Sequence, residues 1–176
     1  MTKLTASQKI EHQRFSFLNI QELIRFTDQK VAAILVIVGL LITAFMTVLQ
    51  HFPVFFSTLN SDYALIYFAG IIFITDVIII FYLSIFNVLK PNLAKHYSKN
   101  EFSTLYYEHI AASQKEDLWK SVEDLDARKQ LIEISDQIFE ISKILLKKIK
   151  NTSVIIVLLF SLLYYWEFSH FAAGLF

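Results

Sequence analysis

One acidic residue lies near the middle of a long apolar run, where a chain normally carries none. Asp76 stands beside Thr75 in the stretch FITDVIII. A carboxyl group near the centre of a bilayer costs about 2.5–3.5 kcal/mol even on lenient insertion scales, so such residues face a bundle interior, a partner helix or a water-filled path. Two interpretations stay open. The first is a structural carboxyl group, protonated and bonded to Thr75, Thr43, Thr47 or a neighbouring subunit, and the second is a group that serves ion passage or gates oligomerisation.

A polar cluster precedes the first apolar run of the chain. Its members are Asn19, Glu22, Asp28 and Lys30. The acidic members can simply solvate a helix flank, and Lys30 can anchor at membrane headgroups. The alternative is a binding site that the cluster shares with basic residues expected at the same membrane level in a later segment, namely Lys90, Lys95 and His96.

An aromatic pair, Tyr106 and Tyr107, is followed by His109. Neighbouring residues on a helix point about 100° apart, so at most one tyrosine of the pair belongs to a core. A tyrosine or histidine near Lys95 could stack on a base while the lysine meets a phosphate. Packing in a helical core is the alternative for these side chains.

The chain lacks the residue patterns of the common enzyme and metal classes. It contains no nucleophile elbow, Walker loop, His-Glu-x-x-His motif or glycine-rich phosphate loop. His12, His51 and His170 are scattered without metal-ligand spacing, and the absence of Cys excludes disulfides and thiolate metal sites. The net charge is zero, which offers no surface for DNA or RNA. We therefore expect a protein that is not an enzyme and that binds no metal, cofactor or nucleic acid.

The composition favours long helices that cross a membrane. Of the 176 residues 55% are hydrophobic, with 17 Phe but only 3 Gly and 2 Pro, so few residues interrupt a helix. Three apolar runs are long enough to cross a bilayer, over residues 31–50, 63–89 and 151–174. No signal peptide is visible, since the first 30 residues are polar.

The basic residues predict the orientation of these runs. Five of the 16 Lys and Arg precede the first run, and the other eleven lie between Lys90 and Lys150. Basic residues concentrate on the cytoplasmic side of a membrane. We therefore expect a multi-pass membrane protein with a cytoplasmic N-terminus, an external loop over residues 51–62 and a cytoplasmic segment over residues 90–150.

The last part of the cytoplasmic segment predicts an amphipathic helix that enters the third apolar run. From Ala127 to Lys150 six apolar residues recur at steps of three and four, which places them on one helix face: Leu131, Ile134, Ile138, Ile141, Leu145 and Ile149. No Gly or Pro separates this helix from TSVIIVLLFSLLYYW. Four basic residues near the junction are expected to contact anionic headgroups, namely Lys143, Lys147, Lys148 and Lys150.

The remaining cytoplasmic residues predict further helices. Residues 1–30 form an N-terminal segment, which we expect to be loose up to Gln13 and helical from Phe15 into the first span. The stretch SQKEDLWKSVEDL predicts a helix with four apolar residues turned inward, namely Leu118, Trp119, Val122 and Leu125. The fold class is thus an all-α membrane protein: three transmembrane helices, a small cytoplasmic helical domain between the second and third, and long helices that continue across the inner membrane interface.

Four motifs in one order resemble a known family. They are LNIQELIRFTDQKVAAILVIVGLLI, NVLKPNL, LYYEHIA and QIFEISKILLKKIK, which together cover most of residues 18–160. In this order they resemble the transmembrane effectors of the Pycsar antiphage systems of bacteria. The resemblance implies an effector paired with a cyclase that makes cyclic UMP or cyclic CMP on infection, and whose messenger triggers disruption of the inner membrane and abortive infection.

The resemblance also assigns candidate residues. Those at the family's motif positions, together with Lys95 as the lysine that could meet the phosphate, form the expected cyclic-nucleotide site: Asp28, Lys30, Lys90, Lys95, Tyr106, Tyr107 and His109. Two positions depart from the family pattern, since Asn92 replaces a second basic residue after Pro91 and the aromatic pair is commonly Phe-Phe. Asp76 and Thr75 are the candidate pore residues. The expected partners of the chain are membrane lipids and further copies of itself in a homo-oligomer. A constitutive channel or transporter subunit and a passive scaffold with a coiled-coil cytoplasmic domain are the alternatives.

Overall fold

The computed structural model describes residues 4–50, 64–90, 104 and 107–173, and these are helical apart from short connections. Helix α1 is Ala6–Gln50 and α2 is Ala64–Tyr82, which continues as a π-helix over Leu83–Leu89. Two short helices follow, α3 at Tyr107–Ala112 and α4 at Lys115–Glu123. The last, α5, is Ala127–Ala173. The all-α prediction is confirmed for the described residues, and the predicted external loop at 51–62 lies outside them.

Helix α1 begins earlier than the sequence analysis expected. The Thr5 Oγ1 atom accepts a hydrogen bond from the Gln8 backbone N–H at 3.3 Å, and Gln8 Oε1 accepts one from the Thr5 N–H at 3.0 Å. This reciprocal arrangement is a capping box, which satisfies backbone donors that a helix start leaves unpaired. The prediction of a loose segment up to Gln13 is therefore wrong from Ala6 onward.

The second apolar helix ends where its sequence requires. The Lys90 backbone N–H donates to the Ile85 carbonyl at 3.0 Å, which closes the π-helix, and Lys90 then has a ψ of 131°. A residue before proline is pushed into this extended region by the proline ring, and Pro91 follows. The helix therefore ends at Leu89, the residue at which the sequence analysis predicts the end of the second span.

Helix α4 differs from its prediction in the side chains it buries. Trp119 is 66% exposed and Val122 is 50% exposed, whereas Leu118 and Leu125 are half-buried. Two of the four residues predicted to turn inward thus face solvent. The nine-residue helix can cover only a narrow stripe, because successive apolar residues such as Leu118 and Trp119 point in different directions.

Helix α5 begins at Ala127, as predicted, and no break occurs before Ala173. Asp126 Oδ1 accepts a hydrogen bond from the Lys129 N–H at 2.6 Å, so Asp126 is its N-cap. The buried residues of α5 include Ile134, Leu145, Ile155 and Leu162. The predicted continuity of this helix, and that of α1, is confirmed.

The chain divides into two compact units. The polar unit comprises Met1–Arg25 and Asn92–Lys147, and the apolar unit comprises Phe26–Pro91 and Lys148–Phe176. Within the polar unit, Gln13 Nε2 donates to Ser135 Oγ at 2.6 Å, which ties α1 to α5.

The core of the apolar unit joins α1, α2 and α5. Its fully buried side chains come from all three helices: Val31, Val38, Ile80, Val88, Ile155 and Leu162. The rings of Phe45 and Phe73 stack with centroids 4.3 Å apart, which fixes α1 against α2. Large apolar side chains such as Phe68, Ile71 and Phe160 point outward instead.

Two stretches among the described residues are long and apolar enough to cross a membrane. They lie within Ala6–Thr47 and Gly70–Leu89, and they match the first two predicted spans. The predicted third span, at residues 151–174 in the second half of α5, does not reach the same criterion within the described residues and stays a prediction.

Candidate functional site

A buried ion pair joins α1 to α5 inside the apolar unit. Lys148 Nζ donates a hydrogen bond to Asp28 Oδ1 at 2.5 Å. The lysine side chain is only 5% exposed, whereas that of Asp28 is 34% exposed. A buried ammonium group loses its hydration and is tolerated only when a partner compensates its charge. Asp28 is that partner, and its open side faces solvent.

Further polar groups surround the pair along both helices. Thr27 and Thr152 are each more than nine-tenths buried, and Thr152 Oγ1 donates to the Lys148 carbonyl at 2.9 Å. The Asn151 Nδ2 atom is also buried, and within the part of the chain that the structure describes it has no hydrogen-bond partner. We call Thr27, Asp28, Lys148, Asn151 and Thr152 the polar layer, since apolar residues precede and follow it on both helices.

Lys148 is the residue that the sequence analysis assigned wrongly. It was expected at lipid headgroups with Lys143, Lys147 and Lys150, and those three side chains are indeed exposed. Lys148 instead is 96% buried, because it lies three residues after Leu145 and seven before Ile155 on the buried face. The spacing of Lys148 from Leu145 and Ile155 predicts a buried side chain, whereas the charge of a lysine predicts an exposed one.

Lys30 and Lys90, which the resemblance assigned to the ligand site, both belong to the apolar unit and are exposed. The Lys30 ammonium lies 4.3 Å from the centroid of the Phe26 ring, a cation–π contact on the same helix. Lys90 follows the π-helix at the end of α2. Short π-helices are frequent at functional sites, so this end of α2 is a reasonable place for a ligand contact.

The other candidate ligand residues belong to the polar unit. His109 is half-buried in α3, and Tyr107 is the first residue of that helix. Lys95 and Tyr106 lie outside the described residues. Also in the polar unit, Thr104 Oγ1 donates to Glu133 Oε2 at 2.8 Å, which ties the segment before α3 to α5. The proposal of a ligand site that combines these residues with Asp28 stays a prediction.

Asp76 is buried on the core face of α2, with 8% exposure, between Phe73 and Ile80. Its neighbour Thr75 is exposed and donates its hydroxyl hydrogen to the Ile71 carbonyl at 2.8 Å. Thr43 donates in the same way to the carbonyl of Gly39, at 3.0 Å. Asp76 Oδ2 has no hydrogen-bond partner among the described residues.

A second buried oxygen lies on the same face of α2. Ser84 is fully buried in the π-helix, and its Oγ atom lacks a partner within residues 64–90 and the other described segments. Eight residues separate Ser84 from Asp76, about 12 Å along a helix axis. Buried polar atoms without protein partners are places where ordered water or an ion is expected. The core face of α2 therefore carries two such positions.

No cluster of three or more metal-ligating side chains occurs among the described residues. The chemistry that the site offers is charge pairing and hydrogen bonding, in the polar layer and along α2.

Comparison with known proteins gives one consistent result. The family model described as "Pycsar effector protein domain" matches residues 12–170. The chain is also 35% identical over 83 residues to a Pycsar effector protein from Treponema porcinum, a match that covers 47% of this chain and 72% of that protein. No solved structure matches the chain.

Proposed function

The chain belongs to the Pycsar effector family, and we propose that it is a membrane effector of antiphage defence that a cyclic nucleotide activates. Family membership supports a transmembrane effector of antiphage defence, and the two apolar helices support a membrane protein. The single observation that carries the proposal is the reach of the family match, since residues 12–170 include the candidate sensor, the first two predicted spans and most of the third. The messenger is cyclic UMP or cyclic CMP, made by a partner cyclase.

The proposed topology has three spans, a cytoplasmic N-terminus and a location in the bacterial inner membrane. The basic residues support it, because none of the 16 lies between Lys30 and Lys90 or after Lys150. Residues 90–150 then form a cytoplasmic sensor. The residues that form the proposed messenger site are Lys90, Lys95, Tyr106, Tyr107 and His109, together with Asp28 and Lys30 from α1.

The proposed output is a leak across the inner membrane. Asp76 Oδ2 and Ser84 Oγ are buried oxygens that lack partners among the described residues, so they can bind water or a cation once the helices around them rearrange. A homo-oligomer in contact with lipid provides the walls of the path. A ligand can drive such a rearrangement only if it binds one arrangement more tightly than the other.

The test is leakage from liposomes that contain the purified protein. Cyclic UMP or cyclic CMP should release an entrapped dye or dissipate a proton gradient, whereas cyclic AMP and cyclic GMP should not. Insertion is checked first by protease protection of the segment at residues 51–62. If no nucleotide causes leakage from liposomes with correctly inserted protein, the proposal is wrong.

One observation favours a second candidate, a constitutive ion channel or transporter subunit. The two buried oxygens of α2 offer an ion path that needs no messenger. This candidate predicts the same conductance with and without nucleotide in the liposome experiment, and normal conductance in cells that lack a nucleotide cyclase.

A further inference from the structure

Two buried hydrogen-bond donors of the polar layer, Lys148 Nζ and Asn151 Nδ2, lie close together in the sequence of α5. A lysine ammonium group offers three N–H donors and an asparagine side chain offers two, while a single carboxylate, that of Asp28, faces the ammonium of Lys148. Asn151 Nδ2 is buried without a partner among the described residues. Lys148 and Asn151 are three residues apart, which makes them neighbours on the surface of α5. A buried ammonium group beside a buried amide N–H that lacks a partner among the described residues is suited to an anion.

We propose that Lys148 and Asn151 form a binding site for a phosphodiester anion, that Asp28 occupies this site in the ligand-free chain, and that the phosphate of the messenger replaces Asp28. The inference rests on the proposed function for the identity of the messenger. It rests only on the polar layer for the existence of the anion site.

Exchange of one anion for another avoids the main cost of opening a buried ion pair. Separating Lys148 from Asp28 would strand the ammonium group of a side chain that is only 5% exposed, and stranded buried charges are strongly destabilising. A phosphate that arrives as Asp28 leaves keeps the ammonium paired throughout. Asp28 itself can be hydrated when released, because a third of its side chain already meets solvent. The exposed side of Asp28 is also the route by which the phosphate enters.

The exchange would link binding of the phosphate directly to the packing of α1 against α5 in the apolar unit. Asp28 lies three residues before Val31, and Lys148 lies seven before Ile155, and both of these apolar residues are fully buried in the core that joins α1, α2 and α5. Release of Asp28 therefore removes the ionic contact between α1 and α5 at one end of that core. The next buried residues of α1 and α5, Val31 and Ile155, are apolar, and apolar contacts have no fixed pairing geometry that resists sliding.

The experiment compares anion binding in four variants of the full chain in nanodiscs. Asp28→Asn removes the internal anion, and Lys148→Met removes the ammonium while keeping a side chain of similar length. Glu22→Gln and Lys147→Met are the matched controls, because each makes the same charge change at an exposed position nearby. Binding of cyclic UMP, cyclic CMP, uridine and inorganic phosphate is measured by calorimetry, with helical content checked for each variant.

Asp28→Asn should bind the active cyclic nucleotide at least about tenfold more tightly than the wild type, because the competing carboxylate no longer reduces the fraction of open sites. Lys148→Met should lose binding, and uridine, which has no phosphate, should bind to none of the variants. Both control variants should match the wild type. If Asp28→Asn weakens binding as much as Lys148→Met does, Asp28 supports the site instead of blocking it, and the exchange is wrong.

Three additions to the experiment let every outcome either support or contradict the anion site. If Lys148→Met does not fold, Asn151→Leu replaces it, and unchanged binding in that variant contradicts the site. If no variant binds a nucleotide but Asp28→Asn gains binding of inorganic phosphate, the anion site stands and the proposed messenger is wrong. Nanodiscs with and without phosphatidylglycerol separate the two sources of phosphate, because a gain that anionic lipid abolishes assigns the site to a headgroup and overturns its assignment to the messenger.

Discussion

The apolar unit contains two regions with buried polar groups, and the two differ in how the burial of these groups is compensated. In the polar layer the chain provides a counter-charge, since Lys148 and Asp28 are 2.5 Å apart. On α2, Asp76 and Ser84 are equally buried, but the described residues supply no hydrogen-bond partner to Asp76 Oδ2 or Ser84 Oγ. Both arrangements cost free energy in an apolar core, and among the described residues only the Lys148 charge finds a partner.

The difference between the regions separates two roles. A paired buried charge fixes how two helices register against each other, in the same way as a single polar residue in the seam of a coiled coil. An unpaired buried oxygen leaves a place for water or a cation. Under the proposed function, the polar layer would control the effector and the core face of α2 would provide the path through the membrane.

The largest effect on stability is expected from Asp28→Ala. This variant strands the Lys148 ammonium, and removal of one partner from a buried pair costs about 3–5 kcal/mol. Lys148→Met should cost less, because the exposed side of Asp28 can be hydrated. Reversible unfolding in detergent measures both, and equal small effects in the two single variants would show that the pair is not buried in solution.

Asp76→Leu is expected to stabilise the protein, and by less than Asp28→Ala destabilises it. Removing a buried polar atom without a partner should raise the free energy of unfolding by about 1–3 kcal/mol, the usual penalty for such an atom. The same variant should reduce messenger-triggered leakage without changing messenger binding.

Thr75→Val is the control for Asp76→Leu, because Thr75 is adjacent but exposed and bonded only to its own helix in the described structure. It should leave leakage unchanged. Loss of stability in Asp76→Leu would show that the carboxyl group has a structural partner, and would remove the contrast between the two regions.

The smallest effect is expected outside both regions, from Asp126→Ala. Loss of this N-cap should cost about 1 kcal/mol and speed hydrogen exchange in the first turn of α5. Asp124→Ala is its control, since the Asp126 side chain, and not that of Asp124, accepts from the Lys129 N–H. Because the cap is local, neither variant should change the messenger concentration needed for leakage. If Asp126→Ala changed the messenger concentration needed for leakage, stability in general, and not the polar layer, would control activation.

Helix periodicity predicted most of the fold. On α5 the prediction was wrong at Lys148, because a lysine is normally expected at the surface. From Leu145 the apolar pattern predicts that the buried face of α5 continues four residues later, at Ile149. In the structure Ile149 is 47% exposed. The buried stripe instead continues by three residues to Lys148 and then to Thr152. Hydrophobicity cannot identify a buried lysine, because its partner Asp28 is 120 residues away in the chain.

Other features were present in the sequence in a form that local rules can detect. The Thr5-to-Gln8 spacing is that of a capping box, and it predicts the start of α1 at Ala6. The burial of Asp76 follows from its place between Phe73 and Ile80, three and four residues away. Which buried polar atoms pair and which do not depends on how three helices meet, and no local pattern contains that information.

The account is tested most directly by one titration of cyclic UMP and cyclic CMP against proton flux in liposomes, with the wild type, Asp28→Asn and Asp76→Leu side by side. We expect flux in the wild type only with the messenger, a lower half-maximal concentration in Asp28→Asn, and a reduced maximum at an unchanged half-maximal concentration in Asp76→Leu. Flux that is independent of nucleotide in all three proteins would contradict the account.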